Sequence, residues 1–128
     1  MSYPYQRPRR LRRHPGLRSL VRESNLRPDD FIVPLFIREG KGQREPIVSM
    51  PGYERYTIDE AVQACRTYQD LGLPAVLVFA KIDASHKDNT GKYALDPEGL
   101  LPRAITALKD AVPHMMVMSD VALDPYSS

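Results

Sequence analysis

The sequence predicts an α/β fold in which parallel strands carry helices on their outer side. Three short apolar runs, residues 31–37, 74–80 and 115–119, have the length and composition of strands. Between them lie two longer segments, 58–71 and 100–111, with apolar residues at helical spacing. The order strand, helix, strand, helix, strand needs crossover connections, and crossovers make successive strands parallel.

The chain divides into an arginine-rich arm, residues 1–28, and a folded portion, residues 29–128. In the arm Arg7, Arg9, Arg10, Arg12, Arg13, Arg18 and Arg22 all precede the first acid, Glu23, although the net charge of the chain is only +2. Pro4, Pro8 and Pro15 oppose one continuous amphipathic helix. Leu17, Leu20 and Val21 suggest a short helix ending near Asn25. An arm of this kind has three readings: an assembly element whose arginines pair with acids of the body or of a neighbour, a transit segment, or a nucleic-acid arm. The aromatic interleaving of a stacking platform is missing, since the arm carries only Tyr3 and Tyr5.

The first strand contains Pro34, which implies a bulged or edge-like strand. Residues 39–56, with Gly40, Gly42, Pro46, Pro51 and Gly52, read as loop. Thr57 and Glu60 have the spacing of a capping box. Ile58, Ala61, Val62, Cys65 and Leu71 share one helical face, and Gly72 is the expected stop. The run 74–80 reads as a buried strand, followed by a polar loop over 81–95. Asp96, Pro97 and Glu98 read as a helix start with proline in first position. Leu100, Leu101, Ala104, Ile105, Leu108 and Ala111 supply that helix with its buried face, and Pro113 ends it. Three parallel strands with two crossovers complete no common fold. The chain therefore reads as the leading strands and helices of a (β/α)₈ TIM barrel, a fold of about 250 residues.

Composition is that of a globular protein, 42% hydrophobic and 27% charged. No apolar run approaches the roughly 18 residues of a membrane span, and no secretory signal is visible at the start. One cysteine excludes an internal disulfide and an all-cysteine zinc site. A cytoplasmic location fits. No internal repeat is present.

Chemistry is expected at the ends of strands. Asp120 follows the third strand, and Asp124 lies four residues on, beside Pro125. A barrel builds its active site from such positions, while an aspartate before proline is equally a turn former. Lys81 follows the second strand and offers an amine for a Schiff base; the alternative is an exposed loop lysine. Lys87 and Asp88 read as solvated surface, and Cys65 as a small core residue. His14, His86 and His114 lack metal-ligand spacing. The glycines of the 81–95 loop form neither a Walker motif nor a dinucleotide fingerprint.

Several stretches in order resemble the N-terminal portion of porphobilinogen synthase, also called δ-aminolevulinic acid dehydratase. They are Arg9-Arg10-Leu11-Arg12, Leu35-Phe36-Ile37-Arg38-Glu39-Gly40, Ser49-Met50-Pro51-Gly52-Tyr53-Glu54-Arg55, Leu71-Gly72-Leu73, Lys87-Asp88-Asn89-Thr90-Gly91, and Ser119-Asp120-Val121-Ala122-Leu123-Asp124-Pro125-Tyr126. The resemblance implies a TIM barrel whose arm wraps a neighbouring subunit, in a homo-oligomer that is usually an octamer. It implies a hydro-lyase of heme and chlorophyll biosynthesis that condenses two 5-aminolevulinate molecules to porphobilinogen, with neither nucleic acid nor membrane as partner. It places a catalytic role on Asp120 and a substrate or cation role near Asp124.

The resemblance also implies two Schiff-base lysines on later strands. The lysines here, Lys41, Lys81, Lys87, Lys92 and Lys109, all precede those positions, so residues 1–128 alone are expected to be inactive. Zinc-dependent members carry cysteines where Ala122 and Asp124 stand. Oxygen in place of sulfur implies magnesium or a monovalent cation rather than zinc. Gly91-Lys92 departs from the Gly-Ser expected there. Two rivals remain: a different Schiff-base barrel of aldolase type using Lys81, and a non-catalytic interaction module with a basic arm.

Overall fold

In the computed structural model, which describes residues 7–127, one five-stranded sheet carries two helices. Strand β1, Ile32–Ile37, is followed by two short strands, β2, Arg44–Pro46, and β3, Glu54–Tyr56. Helix α2, Ile58–Asp70, leads to β4, Ala75–Ala80, and helix α3, Leu100–Ala111, leads to β5, Met116–Ser119; helix α1, Pro15–Leu20, belongs to the arm. The sheet order is β2-β3-β1-β4-β5. β1 pairs parallel with β4 along its whole length, and β4 pairs parallel with β5. These are the leading strands and helices of a TIM barrel.

Alternation along the strands separates two faces. Leu35 and Ile37 of β1 and Val76 and Val78 of β4 are fully buried. They pack with Ala61 and Cys65 of α2 and Leu100, Ala104 and Leu108 of α3 in one core. Among the described residues, no helix packs on the opposite face. Ile32, Met116 and Met118 lie open there, Met116 at 61% exposure. In a barrel this is the inner face.

Several sequence expectations need correction. Residues 39–56 are not all loop: β2 and β3 form an antiparallel ribbon, and β3 pairs parallel with the end of β1. Isolated three-residue strands carry no periodic signal, so pairing alone makes them strands. β1 is an interior strand rather than an edge. Arg38 N–H donates to Tyr56 O, whereas Ile37 O accepts from Lys81 N–H, so alternate residues of β1 serve opposite neighbours. Pro34 has the parity of Arg38 and points to the β3 side, where pairing begins only at Phe36. Its missing N–H therefore costs no ladder bond.

Helix boundaries shift for physical reasons too. The Thr57 side chain does not cap α2. Its hydroxyl accepts from Gln43 N–H at 3.1 Å and donates to Asp59 Oδ1 at 2.6 Å. Glu60 pairs with Arg44 at 2.7 Å instead of reaching back to the cap. The capping-box residues thus tie α2 to the ribbon. Leu71 is not on the buried face; it lies past the helix, 62% exposed, while Ala64 is buried. α3 starts at Leu100 with Gly99 as its cap, not at Pro97. Asp96 makes a turn of its own, accepting from Glu98 N–H at 2.9 Å.

In the arm, a 3₁₀ turn over Pro8–Arg12 precedes α1, which ends at Leu20 rather than near Asn25 and buries no residue. Among the described residues, no ion pair joins Arg9, Arg10, Arg12, Arg13, Arg18 or Arg22 to an acid of the body. Tyr3, Pro4 and Tyr5 lie outside the described residues.

Candidate active site at the strand ends

The parallel strands β1, β4 and β5 end on one rim, and each is followed there by a charged residue: Arg38, Lys81 and Asp120. Register gives Asp120 its direction. Ser119 pairs with Val78, so Asp120 stands level with Phe79. Phe79 pairs with Phe36 on the face away from the helices, and their rings stack at 5.4 Å. Tyr53 meets Phe36 edge-on at 6.4 Å. Asp120 therefore continues an inner-face row headed by aromatic rings. Sequence analysis placed Asp120 at the rim. The aromatic partners escaped it, although the alternation of Phe36 with the buried Leu35 and Ile37 carries that signal.

Beyond Asp120 the chain runs exposed through Val121 and Leu123 and closes a 3₁₀ turn over Asp124–Tyr126. Asp124 is both the acid and the turn former, since its backbone oxygen accepts from Ser127 N–H and Oγ. Both carboxylates are exposed, and neither bonds to a side chain among the described residues. Phe79, Leu101, Asp120, Ala122, Pro125 and Tyr126 border a cavity of about 40 Å³. That volume holds water, not an organic substrate.

Lys81 is an engaged lysine. Its ammonium lies 3.1 Å from Glu45 Oε1. Glu45 also accepts from Arg55 at 2.7 Å and pairs with Arg38. Lys81, then the two arginines, hold the Glu45 carboxyl below its usual pKa. Cations from the ends of β1 and β4 and from the middle of β3 thus meet at one β2 carboxylate, which ties the β2–β3 ribbon to the rim. The pairing holds the Lys81 amine against Glu45 rather than leaving it open toward a substrate. Glu45 is the rim residue that sequence analysis missed, because its three partners lie 7, 10 and 36 positions away.

Cys65 is buried in the core, and burial pushes its thiol up to about 11, as suits an unreactive core residue. Lys87 is exposed, and Asp88 is half-buried, accepting from Thr90 N–H and Oγ1. Among the described residues, no group of three or more His, Cys, Asp and Glu is placed to hold a metal ion. Asp120, Ala122 and Asp124 do not make a metal site by themselves.

Parallel strands with helices packed on one face and charged residues on one rim are the architecture of a TIM-barrel protein, a fold that builds active sites at its strand ends. The family model for delta-aminolevulinic acid dehydratase matches residues 5–128. This chain belongs to that family. It is 45% identical over 127 residues to the chloroplastic delta-aminolevulinic acid dehydratase of the moss Physcomitrium patens, covering 95% of this chain and 28% of the relative. It is 42% identical over 122 residues to the enzyme of that name from Bradyrhizobium diazoefficiens, covering 95% and 35% respectively. A solved structure of delta-aminolevulinic acid dehydratase (porphobilinogen synthase) from Toxoplasma gondii ME49, in complex with the reaction product porphobilinogen, superposes with a TM-score of 0.91 at 40% identity. That match covers 98% of this chain and 36% of the solved one. The chain spans about a third of the length of the relatives it matches.

Proposed function

We propose that the protein carrying this chain is a porphobilinogen synthase that condenses two 5-aminolevulinate molecules to porphobilinogen through lysine Schiff bases. The observation that carries this reading is the placement of Asp120 at the end of β5, on the row of Phe36 and Phe79, in a chain of this family. A carboxylate there stabilises a cationic intermediate or moves a proton beside it. Imine formation belongs to lysines outside residues 1–128, because Glu45 occupies Lys81.

The proposal includes a hard cation, magnesium or a monovalent ion, in preference to zinc. Asp124 offers oxygen and Ala122 offers no donor, so residues beyond these must complete any such site. A homo-oligomer, on the family pattern an octamer, is part of the proposal, with the arm as its assembly element. No helix of the described residues is long and apolar enough to cross a membrane. The compartment proposed is the cytoplasm, and cell fractionation separates it from the plastid of the moss relative.

The test is turnover of 5-aminolevulinate by the whole gene product, followed as porphobilinogen, with borohydride trapping. Trapping is expected to label lysines outside residues 1–128; label on Lys81 overturns the assignment. Asp120→Asn, nearly isosteric, is expected to lower turnover by about 10²–10⁴ with an unchanged melt. Near-normal turnover in that variant makes Asp120 structural.

A further inference from the structure

We infer that the loop between β4 and α3 is a positioning element, and that a clasp of Tyr93 on Tyr126 holds the segment carrying Asp120 and Asp124 in place. The segment has little else to hold it. It leaves β5 at Ser119, and Val121 and Leu123 are exposed at 97% and 63%. Its next firm anchor is Tyr126, which is 7% exposed and packs into the core. Pairing of β5 sets where Asp120 leaves the sheet, and Tyr126 sets the course of the chain from there through Asp124.

The loop meets Tyr126 in three ways. Asp88 N–H donates to Tyr126 O at 3.2 Å. The Tyr93 ring lies 6.3 Å from the Tyr126 ring. Gly91, buried and at φ +61°, brings the loop backbone against the tyrosine: a Cβ there would stand 3.8 Å from Tyr126 Cβ. The loop is itself braced for this contact. The Asp88 carboxylate accepts from Thr90 N–H at 2.7 Å and from Thr90 Oγ1 at 2.6 Å, shaping the turn that presents the Asp88 amide. His86 stacks on Tyr93 at 4.2 Å and 10°, covering its outer side. A solvated connection has no need of this chain of three rings. Tyr93 and Tyr126 are positioning residues, acting through the backbone that carries Asp120.

The activity half of this inference rests on the proposed function; the mechanical half does not. The experiment uses the whole gene product with Tyr93→Leu, which keeps apolar bulk, and His86→Ala, which alters only an exposed side chain. Hydrogen exchange of residues 120–127 is expected to speed up on the order of tenfold in Tyr93→Leu and less in His86→Ala, with exchange of β4 unchanged. Turnover is expected to fall roughly 10- to 100-fold in kcat with KM nearly constant, the signature of misplaced rather than missing groups. Unchanged exchange in both variants overturns the clasp, whether or not the parent makes porphobilinogen. Faster exchange with unchanged kcat in an active parent overturns the positioning role. A parent without turnover refutes the proposed function alone, and the exchange result still decides the clasp.

Discussion

Thr57 shows how one buried hydroxyl joins two elements. It is fully buried, and it serves Gln43, just before β2, and Asp59 of α2 together. Thr57→Val keeps the shape and removes both bonds, leaving the Gln43 amide without its partner. The expected cost is about 1–3 kcal/mol, read from denaturant midpoints. The Thr57 hydroxyl is also the first cause of the lowered pKa of Asp59, with the Gly42 amide adding to it. A lowered carboxyl pKa means that the linked stability is complete above the unfolded value of about 3.9 and is lost as pH falls through the folded value. In Thr57→Val the Asp59 titration should move up toward the ordinary range, and an NMR titration showing no movement would refute the link. Asp124→Ala makes a different demand. Its carboxylate has no side-chain partner among the described residues, so the change should leave the melt unchanged and shift the dependence of turnover on magnesium or potassium more than the turnover itself.

Among the elements, α2 has the most sharply defined end. Leu71 N–H and Gly72 N–H return to Thr67 O and Gln69 O, and Gly72 takes φ +81°. Its nearest obstacle to a Cβ is Pro28 Cβ at 3.6 Å, an ordinary contact. Gly72→Ala therefore tests conformation rather than crowding, and the left-handed backbone should cost about 1–2 kcal/mol in chemical denaturation. A loss well under that range would mean the turn relaxes to another geometry. The helix and its stop were readable in the residues, because periodicity and a terminal glycine are local signals. The ribbon was not. Arg44–Pro46 and Glu54–Tyr56 acquire strand geometry from each other and from β1, a pairing that no window of sequence contains.

For the molecule as a whole, the described arm and the open face of the sheet make separate predictions. From Arg9 to Leu26 every described side chain but Leu17 is exposed, with Leu20 at 85% and Leu26 at 78%. So little of the arm enters the core that deleting residues 1–16 should leave the barrel melt intact and weaken assembly, as sedimentation would report. An undiminished oligomer would assign the arm another task. The inner face exposes Ile32, Met116 and Met118, and β5 pairs only with β4 among the described residues. Expressed alone, residues 1–128 should self-associate or lack a cooperative melt, because an open strand edge and an uncovered apolar face both seek partners. A sharp monomeric melt with strong near-ultraviolet dichroism would contradict this.

Much of this protein was legible in its residues alone. Apolar runs of strand length, alternating with amphipathic helices, determine a parallel α/β sheet. The position of Asp120 just past such a run determines that it stands at the rim, and the ordered motifs from Arg9 to Tyr126 determine the family. Those signals survive in one dimension because periodicity, strand termini and motif order are properties of neighbouring residues. Tertiary structure alone decided the rest. It turned Thr57 and Glu60 from caps into ties to the ribbon, and it admitted Pro34 to an interior strand by facing it toward an unpaired stretch. It joined Glu45 to Lys81 across 36 positions and set Tyr126 beneath Gly91 and Tyr93. Each of these depends on which distant group arrives at hydrogen-bonding or packing distance, and a side chain with several possible partners does not record in the sequence which one it meets.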